Sequence, residues 1–348
     1  MVMCSKKSNM KTRLEKRAGG IILICLLLLI LLGFCSLFIG RYMVAPGEVL
    51  SILWQKLWGS AEKSIVVNVV WDIRLSRVLL NMIVGAGLAV SGAAFQGIFQ
   101  NRLVSPDILG VSSGAGFGAA LGILLAFGLP SVVTTFAFAF GLISVLMTYA
   151  VAKTKKDRST LSLVLSGIVI ASLFNALLSF VKLVADTDSA LPAITYWLMG
   201  SFTGATFEKV LLAGIPVSIG LALLFALRWK INLLSMGDEE AYTLGIHPAK
   251  NRLIIIGACT LITAACVTVT GIIGWIGMIL PNICREFISA DNRYLIPASA
   301  VTGALFMVIV DFMARTVAPS EIPVGILTAL VGAPLFILIY RKDGGSGI

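Results

Sequence analysis

The sequence predicts an all-α polytopic membrane protein with about ten transmembrane helices, and three observations carry that prediction. Hydrophobic residues make up 58% of the 348 residues and charged residues only 13%. Mean hydropathy is +0.99, whereas a soluble chain carries about a quarter charged residues. The apolar residues run in long uncharged windows, unlike the alternating segments of a transmembrane barrel. Between the windows the polar stretches are mostly short and basic. A formal charge of +10 could suit nucleic acid, but basic residues placed at the ends of apolar windows report membrane topology. The expected surroundings are a lipid bilayer, with no nucleic-acid partner.

The spans follow from the windows, at about 20 residues per crossing. Residues 1–19 read as a basic cytoplasmic tail, and window 18–40 as the first span. Its basic start resembles a secretion signal, but the run is too long and lacks a small-x-small cleavage site. Window 78–101 holds the second span. Window 108–152 exceeds one crossing, and Gly128, Leu129 and Pro130 split it into a third and a fourth. Residues 159–181 hold the fifth span and 210–227 the sixth. Window 253–284 is interrupted by Gly271, Gly274 and Pro281, which gives a seventh span and a short eighth. Residues 294 to about 317 hold the ninth, and 322–340 the tenth. The organisation is a tail (1–19), one ten-helix membrane domain (20–342) and a second cytoplasmic tail (343–348).

An even number of spans leaves both termini on one side. Lys6, Lys7, Lys11, Arg13, Lys16, Arg17, Arg102, Lys153, Lys155, Lys156, Arg158, Arg228, Lys230, Lys250, Arg252, Arg285, Arg293, Arg341 and Lys342 all fall there. That excess makes the side cytoplasmic, together with the polar loop 230–252. On the other side, Trp54, Trp58 and Trp71 lie between the first two spans, where tryptophans anchor at the membrane interface.

Loop 230–252 reads KINLLSMGDEEAYTLGIHPAKNR. Its charges keep it in water. Gly237 breaks the chain, Asp238, Glu239 and Glu240 fill a first helical turn, and Gly245 stands where a C-terminal cap falls. The segment is either a plain solvated loop or a short docking helix for a cytoplasmic partner. GVSSGAGFG, from Gly110, lacks the Gly-Lys-Ser/Thr ending of a phosphate loop. Its glycines at 110, 114, 118 and 122 form one helix stripe suited to close packing. No Walker motif occurs, so ATP, if used, is hydrolysed by another chain. Asp311 and Arg315 are four apart, the spacing of an intrahelical pair. Glu321 follows on the outer connection, exposed or paired with Arg315. Arg74 and Arg77 stand on the outer side, as lipid anchors or as sites for an anionic partner. Cys4, Cys25, Cys35, Cys259, Cys266 and Cys284 include no Cys-x-x-Cys pair, and most sit in apolar runs, as packing residues. With one histidine, His247, no metal site is expected.

Three stretches resemble the FecCD/BtuC-type permease subunits of ATP-binding-cassette importers. MGDEEAYTLGI is similar to their cytoplasmic coupling segment, with Gly237, Asp238, Ala241, Leu244 and Gly245 in register and Asp238 in place of the usual Glu. IRLSRVLLNMIVGAGLAVSGAAFQGIFQNRLVSPDILGVSSGAG matches at Arg74, Arg77, Gly85, Gly92, Gln96, Asn101, Leu103, Pro106, Leu109 and Gly110, with Ser76 and Arg102 replacing prolines. The stretch from Gly271 to Lys342 matches at Gly277, Pro281, Arg285, Asp291, Arg293, Pro297, Asp311, Arg315, Glu321, Pro323, Gly325, Gly332, Pro334 and Phe336. Asn282 and Asn292 stand where that family often has histidine. The resemblance covers roughly residues 20–342.

The resemblance implies a BtuC-like fold and a permease for an iron(III)–siderophore complex, with cobalamin or haem as alternatives. It implies a second permease subunit (identical or paralogous), two cytoplasmic ATPase subunits and an extracytoplasmic solute-binding protein. Gly237, Asp238, Glu240, Ala241, Leu244 and Gly245 would couple to the ATPase. Arg74, Arg77 and Arg315 would receive acidic residues of the binding protein. The chain itself would be no enzyme and hold no cofactor, ATP and Mg being used by the partner ATPase. An ion-coupled secondary transporter is the competitor, but it normally needs ionisable groups at mid-membrane. A non-transporting scaffold is the third class.

Overall fold

The computed structural model describes residues 2–40, 42–59, 64–125, 129–153 and 160–343. The described residues form helices and connections, with no strand. In order these are α1 (Val2–Phe38), α2 (Pro46–Leu57), α3 (Ile65–Val67), a π-helical stretch (Asn68–Leu75) and α4 (Ser76–Ile98). A 3-10 turn (Pro106–Leu109) leads to α5 (Val111–Leu125), α6 (Pro130–Lys153), α7 (Thr160–Val184), α8 (Ala190–Leu198) and α9 (Phe207–Leu234). Then come α10 (Asp238–Thr243), α11 (Pro248–Thr270), α12 (Ile276–Phe287), α13 (Asn292–Thr316) and α14 (Val324–Asp343). Seven of the described helical stretches are long and apolar enough to cross a membrane, and α5 and Val324–Leu338 are shorter apolar helices. With the half-length α12 they follow the order of the ten expected spans. The end of the bundle bearing α10 is called here the α10 end, and the opposite one, bearing α2, the α2 end.

Two boundaries differ from the sequence reading. The second span starts at Ile65, not at 78, because α3, the π-helical stretch and α4 form one helix, Ile65–Ile98. Asp72, Arg74 and Arg77 therefore lie within a helix and do not end it; Arg74 and Arg77 are buried against internal partners. The connection 186–209 also contains a helix of its own, α8. Gly128, at the expected break before α6, and residue 159 lie outside the described residues.

α4 is the axis of the bundle. Nearly all of it is buried, and its glycines let neighbouring backbones come within contact of its own, as small residues do in membrane helices. A Cβ on Gly85 would collide with the Gly303 carbonyl of α13, and one on Gly92 with Gly277 of α12. Gly87 leaves room for Ile262 and Cys266 of α11. The 114, 118, 122 stripe of α5 does the same against α6, meeting Phe140, Phe136 and Val133. Cys259, Cys266 and Cys284 are buried among these helices with free thiols.

Non-helical backbone inside a bilayer must find its hydrogen bonds within the protein. Here three breaks satisfy one another. Ser201 N–H donates to Thr270 O at 2.7 Å, Val324 N–H to Gly200 O at 2.9 Å and Gly325 N–H to Met199 O at 3.1 Å. Gly200 (φ +70°) and Gly271 (φ +74°) supply the left-handed turns that bring them together.

Gly92→Val should lower stability by about 3 kcal/mol or prevent folding, because the new side chain must displace backbone. Gly257→Ala, where an added Cβ meets nothing within 4 Å, should change it by no more than about 1 kcal/mol. Thermal unfolding of the purified variants, followed by intrinsic fluorescence, compares the two; equal melting would discount the backbone contact.

Candidate functional site

α10 is a six-residue helix made rigid at both ends. Gly237 precedes it at φ +131°, and an added Cβ there would strike the Glu240 carboxylate. At the other end Ile246 N–H donates to Ala241 O and Gly245 N–H to Tyr242 O, both at 3.0 Å. This paired closure places the C-terminal residue in the left-handed region, and Gly245 occupies it at φ +80°. Asp238 is clamped by Arg252 of α11, which donates Nη2–H at 2.6 Å and Nη1–H at 3.1 Å. Ala241 is fully buried, facing the chain's own helices and not an outside surface. Met236, Tyr242 and Leu244 are exposed beside Glu239 and Glu240. Exposed apolar side chains on a fixed scaffold are the mark of an interaction surface.

Amide side chains, unforeseen in the sequence, tie the neighbourhood of α10 to the bundle. Asn232, near the end of α9, donates to Asp291 at 2.6 Å and accepts from the backbone and side-chain N–H groups of Asn292 at 2.8 Å. Gln100 donates to Leu234 O at 3.1 Å. Burial alone would raise the Asp291 carboxyl, but hydrogen bonds from Arg293 and Asn232 bring it below the ordinary carboxylate value. Asn282 donates to Arg102 O at 3.0 Å and accepts from Arg285, which also donates to Gln96. Asn282 and Asn292, at the family's histidine positions, are thus structural hydrogen-bonding groups. Only their spacing from the nearby arginine and aspartate hinted at such a network.

At the α2 end the structure gathers the three arginines, but inside the protein. Arg77, 7% exposed, donates Nε–H to Asp311 at 3.0 Å and contacts Glu321 through Nη1 at 3.0 Å. Arg315 reaches the same Asp311 at 3.1 Å, its partner four residues back on α13. Glu321 is therefore a partner of Arg77, and Thr203 also donates to it at 2.8 Å. Arg74 donates to Leu37 O at 2.7 Å and to Tyr42 O, and Arg315 to Ile39 O at 3.3 Å and Ser36 Oγ at 2.5 Å. The last carbonyls of a helix lack intrahelical donors, and two guanidiniums serve those at the end of α1. Gly40 lies flat against Arg74, where an added Cβ would come within 2.8 Å of the guanidinium. The arginines are thus committed within the chain, whereas their positions alone suggested exposed charge.

The profile of the FecCD transport family matches residues 27–342. The chain belongs to the FecCD transport family. Among FecCD proteins, the molybdate import system permease protein MolB of Haemophilus influenzae is 40% identical over 321 residues, covering 92% of this chain and 95% of MolB. The Fe(3+)-citrate import system permease protein YfmE of Bacillus subtilis is 36% identical, covering 95% and 98%. The hemin transport system permease protein HmuU of Yersinia pestis is 37% identical, covering 92% and 96%. A solved inward-facing structure of an ABC transporter assigned to the metal-chelate type superposes with a TM-score of 0.83 at 36% identity, covering 93% of this chain and 99% of that one. This FecCD chain is accordingly a multi-pass ABC importer permease with a BtuC-like fold.

Asp311→Asn should destabilise the protein by about 3 kcal/mol, because it removes the fully buried charge that Arg77 and Arg315 share. Glu321→Gln, whose carboxylate is partly exposed, should cost about 1 kcal/mol or less. Thermal melting of both variants in detergent orders them; an Asp311→Asn protein as stable as Glu321→Gln would refute the central role of Asp311.

Proposed function

We propose that this chain is the membrane-spanning subunit through which an iron(III)–siderophore complex is imported across the cytoplasmic membrane. It works with a second permease subunit, two ATPase subunits and an extracytoplasmic solute-binding protein. The observation that carries the reading is α10: a rigid helix outside the spans, exposing Glu239, Glu240 and Tyr242 with Met236 and Leu244 flanking it, joined to α11 by the Asp238–Arg252 pair. A load applied to Met236, Tyr242 and Leu244 reaches α9 and α11, both packed on α4. ATP binding in a partner can then bias two arrangements of the bundle. In this reading the α10 end is cytoplasmic, in keeping with its basic residues.

Ion coupling fits less well. Asp311, the carboxylate within the ninth span, is held by two arginines and so is not free for proton or sodium exchange. Relatives named for Fe(3+)-citrate and hemin support an iron chelate. Haem and cobalamin remain the alternatives within this class. Molybdate is the second reading, favoured by MolB. Docking of the binding protein at the α2 end belongs to the same proposal. Acidic groups of the partner would have to compete with the internal acceptors of Arg74, Arg77 and Arg315.

The deciding experiment is uptake into proteoliposomes containing the chain with its ATPase and binding protein, offered labelled ferric siderophore, haem, cobalamin and molybdate in turn. ATP-dependent accumulation of the ferric siderophore is expected. Accumulation driven by an ion gradient without ATP would overturn the importer mechanism, and preference for another substrate would overturn the chelate. In the same system Gly245→Val, which forces a β-branched residue into a left-handed turn, should leave the protein inserted yet reduce uptake per ATP hydrolysed. Ala241→Arg, at a fully buried position, should do the same with an added loss of stability. Undiminished coupling in Gly245→Val would make α10 a mere connector.

A further inference from the structure

A cleft of about 260 Å³ opens at the α10 end between the α6–α7 pair and the α10–α11 pair. Tyr149 and Lys153 of α6, Leu163 of α7, Asp238 of α10, and Arg252 and Ile256 of α11 line it. Lys153 ends one membrane-crossing stretch, Leu163 lies in the first turn of the next, and Pro248, also in the lining, begins a third. The cleft therefore sits at the boundary between hydrocarbon and water. Leu163, Leu253 and Ile256 form an apolar wall, and Lys153 and Arg252 supply cations. Asp238 neutralises Arg252 through its two terminal nitrogens, which leaves Lys153 as surplus positive charge among the described residues that line the cleft. Arg252 is itself 6% exposed, and its Nε–H has no acceptor among the described residues.

We propose that this cleft binds the phosphate headgroup of an anionic phospholipid. Basic pockets between membrane helices on the cytoplasmic side select such headgroups. The volume is below the roughly 300 Å³ of a site for a whole drug-sized molecule, so it suits a headgroup whose chains stay in the bilayer. The phosphate sits beside Lys153, with the Tyr149 hydroxyl as a further donor, and its chains continue along the Leu163 side. A phosphate here also shares Arg252 with Asp238, the first residue of α10. Bound lipid then bears directly on the clamp that positions α10.

The test uses the purified full chain in nanodiscs of phosphatidylcholine, alone or mixed with phosphatidylglycerol. Lipid retained after release is counted by native mass spectrometry. Wild-type protein should retain phosphatidylglycerol in preference to phosphatidylcholine. Lys153→Gln should weaken that retention about fivefold, the effect of one basic residue near an anionic surface. Leu163→Trp, which fills the apolar wall, should also weaken it, while Leu163→Met, which keeps the volume and the packing, should leave it unchanged. Added inorganic phosphate should leave the lipid in place. Equal retention of the two lipids by wild-type protein, or retention unchanged in both Lys153→Gln and Leu163→Trp, overturns the site. Displacement of phosphatidylglycerol by inorganic phosphate overturns the lipid assignment in favour of a soluble anion. Neither ATPase nor transport substrate is present, so failure here is distinct from failure of the importer reading.

Discussion

The architecture depends on how closely other backbones approach α4. Gly85 meets Gly303 and Gly92 meets Gly277 with no side chain between them, so α13 and α12 lie directly against its surface. In a bilayer no hydrophobic drive brings helices together, and close van der Waals packing has to hold them. The buried Arg77–Asp311 pair lies along the same α4–α13 contact. An ion pair in so dry a place is stabilising mainly in the sense that neither partner can be left alone. Its geometry therefore sets the register of α4 against α13 at one end, while the glycines set it along the length.

From that axis the two ends acquire different characters. At the α2 end, arginines from the second and ninth spans collect the unpaired carbonyls at the end of α1, and Glu321 brings in the loop before α14. Charges, helix ends and loop converge on one compact knot. At the α10 end, amides join charged groups: Asn232 bonds Asp291, Gln96 and Asn282 accept from Arg285, and the Asp238–Arg252 pair stands beside them.

The amides also bear on the family comparison. Asn282 and Asn292 hold the positions where the sequence resemblance leads one to expect histidine. Here they bridge to Arg102 O and to Asn232, and an amide does this without titrating. Donor and acceptor sit on one small group, so these bonds do not depend on pH.

Much of the fold was legible in the chain alone. Long uncharged windows demand helices that cross a bilayer, because every backbone group must be paired within its own segment. Gly237 and Gly245 marked the limits of α10, since a left-handed turn at its C-terminus favours glycine. The spacing of Asp311 and Arg315 announced their pairing, and the glycines at 114, 118 and 122 announced a packing face, although Gly110 stands outside that helix at φ +83°. What only the tertiary structure decided is where each charge found its counterpart. Arg77 is 234 residues from Asp311, and Arg252 reaches back across a turn to Asp238. The sequence read Arg74 and Arg77 as exposed because hydropathy registers a charge as a break in a span. A guanidinium paired at close range is compatible with a buried helix, and only the folded arrangement of α1, α4 and α13 brings those partners within reach.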